Sequence, residues 1–313
     1  MTTPSSLTSH FIPVNGCRLH YLQSTTAPKS DWEDQHTLVF LHGFPEHAGV
    51  WQPQLQFFGK HHRAVALDLP GYSLSEGPQK ASDYTVPNLV GIVAKFIESI
   101  SPKKKVTLIA HDWGGALAWP LTARFHNLIE RLVIMNAAHP STFTRETIRN
   151  RQQRLMSDYI HTFLDPNAEQ ALSANTFELL KAHSINQIRR PLTDAEIAGY
   201  ETAWARPNAV TNMLSYYRCM PQLFPRESDT PANADDSGPL TTLDQMNIPE
   251  ISIPVPTLVL WGEDDAAFDI GVLDGLSGYI EDLTIHRFEG VSHWIQHEAS
   301  EQVNQLIDDF LDN

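Results

Sequence analysis

A chain of 313 residues is longer than a typical single domain, and one α/β core carrying a large insertion accounts for that length as well as two domains do. Apolar residues make up 42%, enough for a substantial core and too many for wholesale disorder. Lysine and arginine number 22 against 37 acidic residues, and a formal charge of −15 repels phosphate backbones and anionic lipid, which argues against nucleic acid or membrane surfaces as partners.

The first residues, 1–16, show no basic start followed by an apolar run, so no signal peptide is expected. No apolar run approaches the ~20 residues of a membrane span, and the expected compartment is the cytoplasm. Runs 11–14 and 18–23 flank Asn15-Gly16 and predict an opening hairpin. Short β-branched and apolar runs at 37–41, 63–67, 106–110, 131–135, 257–261 and 283–288 predict strands. Between them lie helical patterns, the clearest being Leu89, Ile92, Val93, Phe96, Ile97 and Ile100. Val303, Leu306, Ile307, Phe310 and Leu311 repeat that spacing near the end. This alternation predicts an α/β fold with a mostly parallel central sheet flanked by helices.

From about Pro140 to Pro254 the strand signal gives way to helical and polar patterns, including 149–163, 175–183 and 194–204. The expected organisation is a core of 1–139 and 251–313 with a helical cap, 140–250, inserted between two strands. Residues 225–240, rich in Pro, Asp, Ser and Asn, predict a flexible connection. Cys17 and Cys219 are far apart and match no pairing or metal-binding pattern, so both are expected to be reduced thiols.

The chemistry starts where the strand at 106–110 runs into His111-Asp112-Trp113-Gly114-Gly115 and a helical stretch. A strand, a tight turn with small residues and a helix make a nucleophile elbow, which lifts one side chain above the sheet. Here that side chain is Asp112, and a carboxylate attacks carbon without a base to deprotonate it first. The plain alternative for Asp112 is a helix N-cap. The strand at 257–261 ends in Gly262-Glu263-Asp264-Asp265, and the last strand is followed by Gly290-Val291-Ser292-His293-Trp294. Nucleophile, acid, histidine is the chain order of α/β hydrolases, and that position sets His293 apart from His111, His286 and His297. The competing acid position, after 131–135, holds Asn136, which carries no charge. Upstream, His42-Gly43-Phe44-Pro45-Glu46 follows a strand, so the backbone N–H groups of Phe44 and Trp113 are expected to form an oxyanion hole.

The 42–46 segment, the run Asp68-Leu69-Pro70-Gly71-Tyr72-Ser73-Leu74-Ser75 and the elbow at 111–115 together resemble the motifs of soluble epoxide hydrolases. The likeness covers the whole core and reaches into the insertion. It implies an α/β-hydrolase fold and conversion of epoxides to vicinal diols through an ester on Asp112. It further implies His293 as the base that activates water and Asp265, rather than Asp264, as the acid orienting it. Met213-Leu214-Ser215-Tyr216-Tyr217-Arg218 resembles the segment bearing one ring-opening proton donor, which would be Tyr217. Asp158-Tyr159-Ile160-His161-Thr162-Phe163 resembles the segment bearing its partner, which would be Tyr159. Leu164 in place of the usual glutamine, Asp165-Pro166 in place of Pro-Gly, and Pro120 inside the helix after the elbow depart from the family pattern; Pro120 is expected to kink that helix.

Trp113, Phe44, Trp51 and Tyr216 are the expected substrate contacts, with Trp204 a further aromatic candidate. Tyr216 and Tyr217 point about 100° apart on a helix, so both cannot face one pocket. No cofactor is implied: the histidines lack ligand spacing and no glycine-rich phosphate loop occurs. The implied partners are a small hydrophobic epoxide and water, with a homodimer left open. Two rival readings remain. A haloalkane dehalogenase also uses an aspartate nucleophile, but halide needs N–H donors and Phe44 has none in its side chain. A non-catalytic ligand-binding protein of this fold would have no use for a triad and an oxyanion hole.

Overall fold

In the computed structural model, which describes residues 7–26, 29–220, 243 and 246–312, eight strands form one sheet. They are β1 (Leu7–Val14), β2 (Cys17–Ser24), β3 (Thr37–Leu41), β4 (Arg63–Leu67), β5 (Val106–His111), β6 (Ile129–Met135), β7 (Thr257–Asp264) and β8 (Leu283–Ser292). Every predicted strand is present, most of them extended by a few residues. The expected flexible connection at 225–240 lies outside the described residues.

The spatial order is β1-β2-β4-β3-β5-β6-β7-β8. The β1–β2 and β2–β4 pairs are antiparallel and all the others parallel. Asn15 and Gly16, both with positive φ (47° and 83°), close the first hairpin, as a two-residue turn between twisted strands requires. β3, β4 and β5 are buried at every position because helices cover both faces, which explains why they read as continuous apolar runs.

The flanking helices are α1 (Gln52–Phe58), α2 (Val86–Ile100), α3 (Trp113–Arg124), α10 (Ile295–Glu298) and α11 (Ser300–Asp312). All six apolar positions read from the sequence of α2 are buried. In α11, Val303 and Ile307 are buried, while Leu306, Phe310 and Leu311 pack at the core's edge. α3 runs unbroken through Pro120, so no break interrupts the helix behind the elbow.

Between β6 and β7 in the chain come α4 (Pro140–Arg149), α5 (Arg151–Met156), α6 (Tyr159–Leu164), α7 (Ala168–Ala182), α8 (Asp194–Trp204) and α9 (Ala209–Arg218). The pattern at 149–163 predicted one helix and the structure has breaks. Asn150 is extended (φ −112°, ψ 109°) and its side chain accepts from the Gln152 N–H, starting a new helix there. α7 is two helices joined across a kink, so the pattern at 175–183 turns helical only after Phe177. Asn175, Thr176 and Phe177 hold left-handed backbone (φ 49°, 56° and 63°), a conformation periodicity alone does not reveal. Among the described residues, no helix is long and apolar enough to cross a membrane.

Candidate active site

The C-terminal ends of β3, β5, β6, β7 and β8 converge on one point. Asp112 follows β5 with φ 48° and ψ −118°, a sparsely populated conformation for a residue with a side chain. Its carboxylate caps nothing in α3, which removes the N-cap reading. The close packing demanded of the elbow explains its glycines. A Cβ on Gly43 would stand 2.4 Å from the Cβ of Asp112, and one on Gly114 would stand 2.4 Å from the carbonyl oxygen of Leu41.

The Phe44 N–H, just past β3, donates to Asp112 Oδ1 at 2.6 Å. Trp113 begins α3, so its amide has no acceptor within the helix and belongs to the same positive end. His293, just past β8, places Nε2 3.7 Å from Asp112 Oδ2 and Nδ1 2.8 Å from Asp265 Oδ2. Asp265 is buried, and its other oxygen accepts from the backbone N–H groups of Ala267 (2.7 Å) and Phe268 (3.1 Å). Asp264 points away to Arg189 at the surface, so of the two neighbouring acids Asp265 is the one that reaches the histidine.

Asn136, dismissed in the sequence as an uncharged stand-in for an acid, turns out to hold the acid. Its Nδ2 donates to Asp265 Oδ2 at 2.7 Å and to the Gly262 carbonyl at 3.1 Å. The signal was its position: it follows directly on β6, the strand beside β7.

Charges in this buried cluster set the protonation states. Burial pulls the His293 imidazole down, but Asp265 and, more weakly, Asp112 outweigh it and push its pKa up to about 9. Burial pushes the Asp265 carboxyl up, yet the His293 charge, its hydrogen bond and the Asn136 amide bring it below the usual range.

Opposite Asp112 stand two tyrosines from the inserted helices. Tyr217, on α9, is buried, with its ring edge-on to Trp113 and to Phe44 at 5.2 Å each. Tyr159, at the start of α6, is half-buried, with its ring edge-on to Phe163 at 5.4 Å. Burial raises the pKa of both hydroxyls, Tyr217 well above the ordinary value, and the Asp112 charge adds to it. Both therefore stay protonated around neutral pH.

Asp112, Tyr159, Tyr217 and Ala267 line two cavities in common. The larger, about 440 Å³, is walled mainly by apolar groups including Trp113, Phe143, Ile160 and Phe268. The smaller, about 260 Å³, adds Phe44, His183, Gln187 and His293.

Two expected substrate contacts do not reach either cavity. Trp51 is fully buried, with its ring against Phe40. Tyr216 faces away from Tyr217: its hydroxyl donates to the Pro70 carbonyl at 2.8 Å and its ring packs on Tyr72. Trp204 also lines neither cavity and instead donates its indole N–H to the Pro45 carbonyl.

A buried polar network behind the site was not foreseen. Glu46 accepts from His297 Nε2 (2.7 Å), Tyr200 (3.0 Å) and Gln296 (3.1 Å), with His111 Nδ1 at 3.3 Å. Burial pushes its carboxyl up, but the two histidines hold it well below the usual range. The backbone carbonyl of His293 is tied to His111 Nε2 at 3.0 Å.

A family model described as the alpha/beta hydrolase fold matches residues 36–300. The chain is 32% identical to "Epoxide hydrolase 2" of Caenorhabditis elegans over 96% of its own length and 79% of that protein. It is 30% identical to "Epoxide hydrolase 3" of Xenopus tropicalis over 95% of its length and 75% of that protein. A crystal structure of a Bacillus megaterium epoxide hydrolase with an inhibitor superposes with a TM-score of 0.83 at 29% identity, covering 97% of this chain and all of that one. The chain belongs to the α/β-hydrolase-fold proteins and, within them, to the epoxide hydrolase family.

Proposed function

We propose that this enzyme adds water to epoxides, giving vicinal diols, through an ester on Asp112. The observation that carries the reading is a carboxylate nucleophile facing two protonated, buried tyrosine hydroxyls across a single cavity junction. Attack by an Asp112 oxygen on a ring carbon breaks that carbon's bond to the epoxide oxygen and moves the negative charge onto that oxygen. Tyr217 and Tyr159 hydrogen-bond it and supply the proton. Because the Asp112 charge is one reason these hydroxyls hold their protons so tightly, its loss on ester formation makes them better donors when the alkoxide appears.

In the second half, His293 takes a proton from water, which attacks the ester carbonyl carbon. The amides of Phe44 and Trp113 stabilise the tetrahedral oxyanion, each worth roughly 3–4 kcal/mol by analogy with a single oxyanion-hole donor in another hydrolase. Collapse breaks the bond between the carbonyl carbon and the ester oxygen that Asp112 supplied, and the proton left on the attacking water's oxygen passes to it, so the diol leaves with that oxygen. The imidazolium returns its proton to the tyrosinate, which restores the resting site. Asp265, held by Asn136 and two backbone amides, keeps the imidazole oriented. Helices α4 to α9 act as a cap that brings both tyrosines over the nucleophile. The apolar lining of the larger cavity suits a hydrophobic substituent on the epoxide.

The test is incubation of purified protein with styrene oxide and, separately, with 1-bromobutane. Diol from the first and no bromide from the second is expected. Bromide release without diol would move the assignment to a haloalkane dehalogenase.

A further inference from the structure

The oxyanion-hole loop is gripped from two sides. From the core, His297, Gln296 and His111 bind the Glu46 carboxylate. From the inserted helices, α8 reaches down with two residues one turn apart, which share a helix face. The Tyr200 hydroxyl donates to Glu46 Oε1 at 3.0 Å, and the Trp204 indole N–H donates to the Pro45 carbonyl at 2.6 Å. Both side chains are about 2% exposed, and the Tyr200 ring also meets His47 edge-on at 5.3 Å. Within the loop, Glu46 N–H bonds back to the Gly43 carbonyl at 2.9 Å. Trp204 thus holds the Pro45–Glu46 peptide, whose N–H bonds to the carbonyl of the Gly43–Phe44 peptide, and that second peptide carries the N–H that points at Asp112. α8 is itself firmly anchored: Thr193 and Glu196 form a capping box at its start, and Arg190 pairs with Glu196.

We infer that Trp204 is a positioning residue for the oxyanion hole, aiming the Phe44 N–H through the Pro45 carbonyl. The inserted helices then do two jobs, delivering the tyrosines and bracing the hole. This rests on the epoxide-hydrolase reading above.

The two half-reactions depend on that amide in opposite ways. Ring opening takes negative charge away from the Asp112 carboxyl, so a poorly aimed donor does not slow it. Ester hydrolysis creates an oxyanion at that carboxyl, so the same fault slows it. Trp204 touches neither cavity, so substrate contacts are untouched. When hydrolysis becomes slower, kcat and KM fall together while kcat/KM, which reports ring opening, holds.

The experiment measures steady-state kinetics on styrene oxide, with intact-mass detection of the ester, for Trp204→Phe in the full chain. A second protein carries benzothienylalanine at position 204, which keeps the indole's shape and lacks its N–H. In both, kcat and KM should drop about 10-fold in parallel, part of the 10²–10³ that loss of a whole hole donor costs, with kcat/KM within about twofold of the unmodified enzyme. Ester-bearing protein should accumulate during turnover. A fall of kcat/KM in step with kcat in the benzothienyl protein, or kinetics identical to the unmodified enzyme, would overturn the positioning role alone. Absence of diol from the unmodified enzyme would overturn the reading beneath it.

Discussion

His293→Gln is expected to stop the enzyme as the Asp112 ester. In the proposed mechanism the imidazole takes no part in ring opening, because a carboxylate needs no base; Nε2 sits 3.7 Å from Asp112 Oδ2, beside it without hydrogen-bonding. Loss of a general base costs about 10²–10⁴ in rate, or ~3–5 kcal/mol of barrier, and all of it falls on the second half-reaction. Intact mass of the variant after mixing with styrene oxide should show protein plus one substrate, persisting long after the unmodified enzyme has cleared. An unmodified mass with a reactive epoxide would contradict the assignment. The pH dependence follows with a definite sign. With Asp112 ionised, His293 is held up at about 9; in the ester that raising charge is gone, so the relevant pKa lies lower. Ester decay in the unmodified enzyme should accelerate as pH rises through that lower pKa, while the glutamine variant should show no such step.

Removing both cap hydroxyls, by Tyr159→Phe with Tyr217→Phe, is expected to cost the other half-reaction. A free alkoxide is a poor leaving group, and general-acid assistance is worth about 10²–10⁴-fold. Both tyrosines line the same junction, so either alone retains part of the effect and the single variants should lose less. The rate of ester formation should fall with no ester accumulating, the reverse of the His293→Gln pattern. Unchanged turnover in the double variant would remove the tyrosines from the chemistry.

Much of the frame was readable from local pattern. Buried parallel strands appear as apolar runs, and the elbow shows itself because a strained turn between strand and helix needs glycines close behind it. The convergence of Asp112, Asp265 and His293 could be read for the same reason: the side chains sit at strand ends, and strands are what periodicity finds. The acid was harder, since Asp264 and Asp265 are adjacent. The register shift between β7 and β8 near Gly262 and Asp264, together with the Asn136 amide, turns Asp265 inward. Neither is visible in one strand's sequence.

What depends on distant packing was not readable. Trp51, Trp113 and Trp204 are alike as residues, yet one is core, one faces the cavity and one braces a loop. Glu46 read as the tail of a motif, and only the folded chain brings His297 and Tyr200 to it across more than 150 positions. The helix breaks at Asn150 and at Ala174 to Phe177 rest on the backbone dihedrals of one to four residues, which a 3.6-residue pattern averages away.

In the proposed reaction an oxygen of Asp112 ends up in the product and is replaced from water. A single turnover with enzyme in excess over epoxide, in heavy-oxygen water, separates the alternatives cleanly. Peptide mass spectrometry should find one heavy oxygen in the fragment containing Asp112 and none in the diol. Label in the diol with an unlabelled Asp112 peptide would mean that water attacks the epoxide directly and that no ester forms.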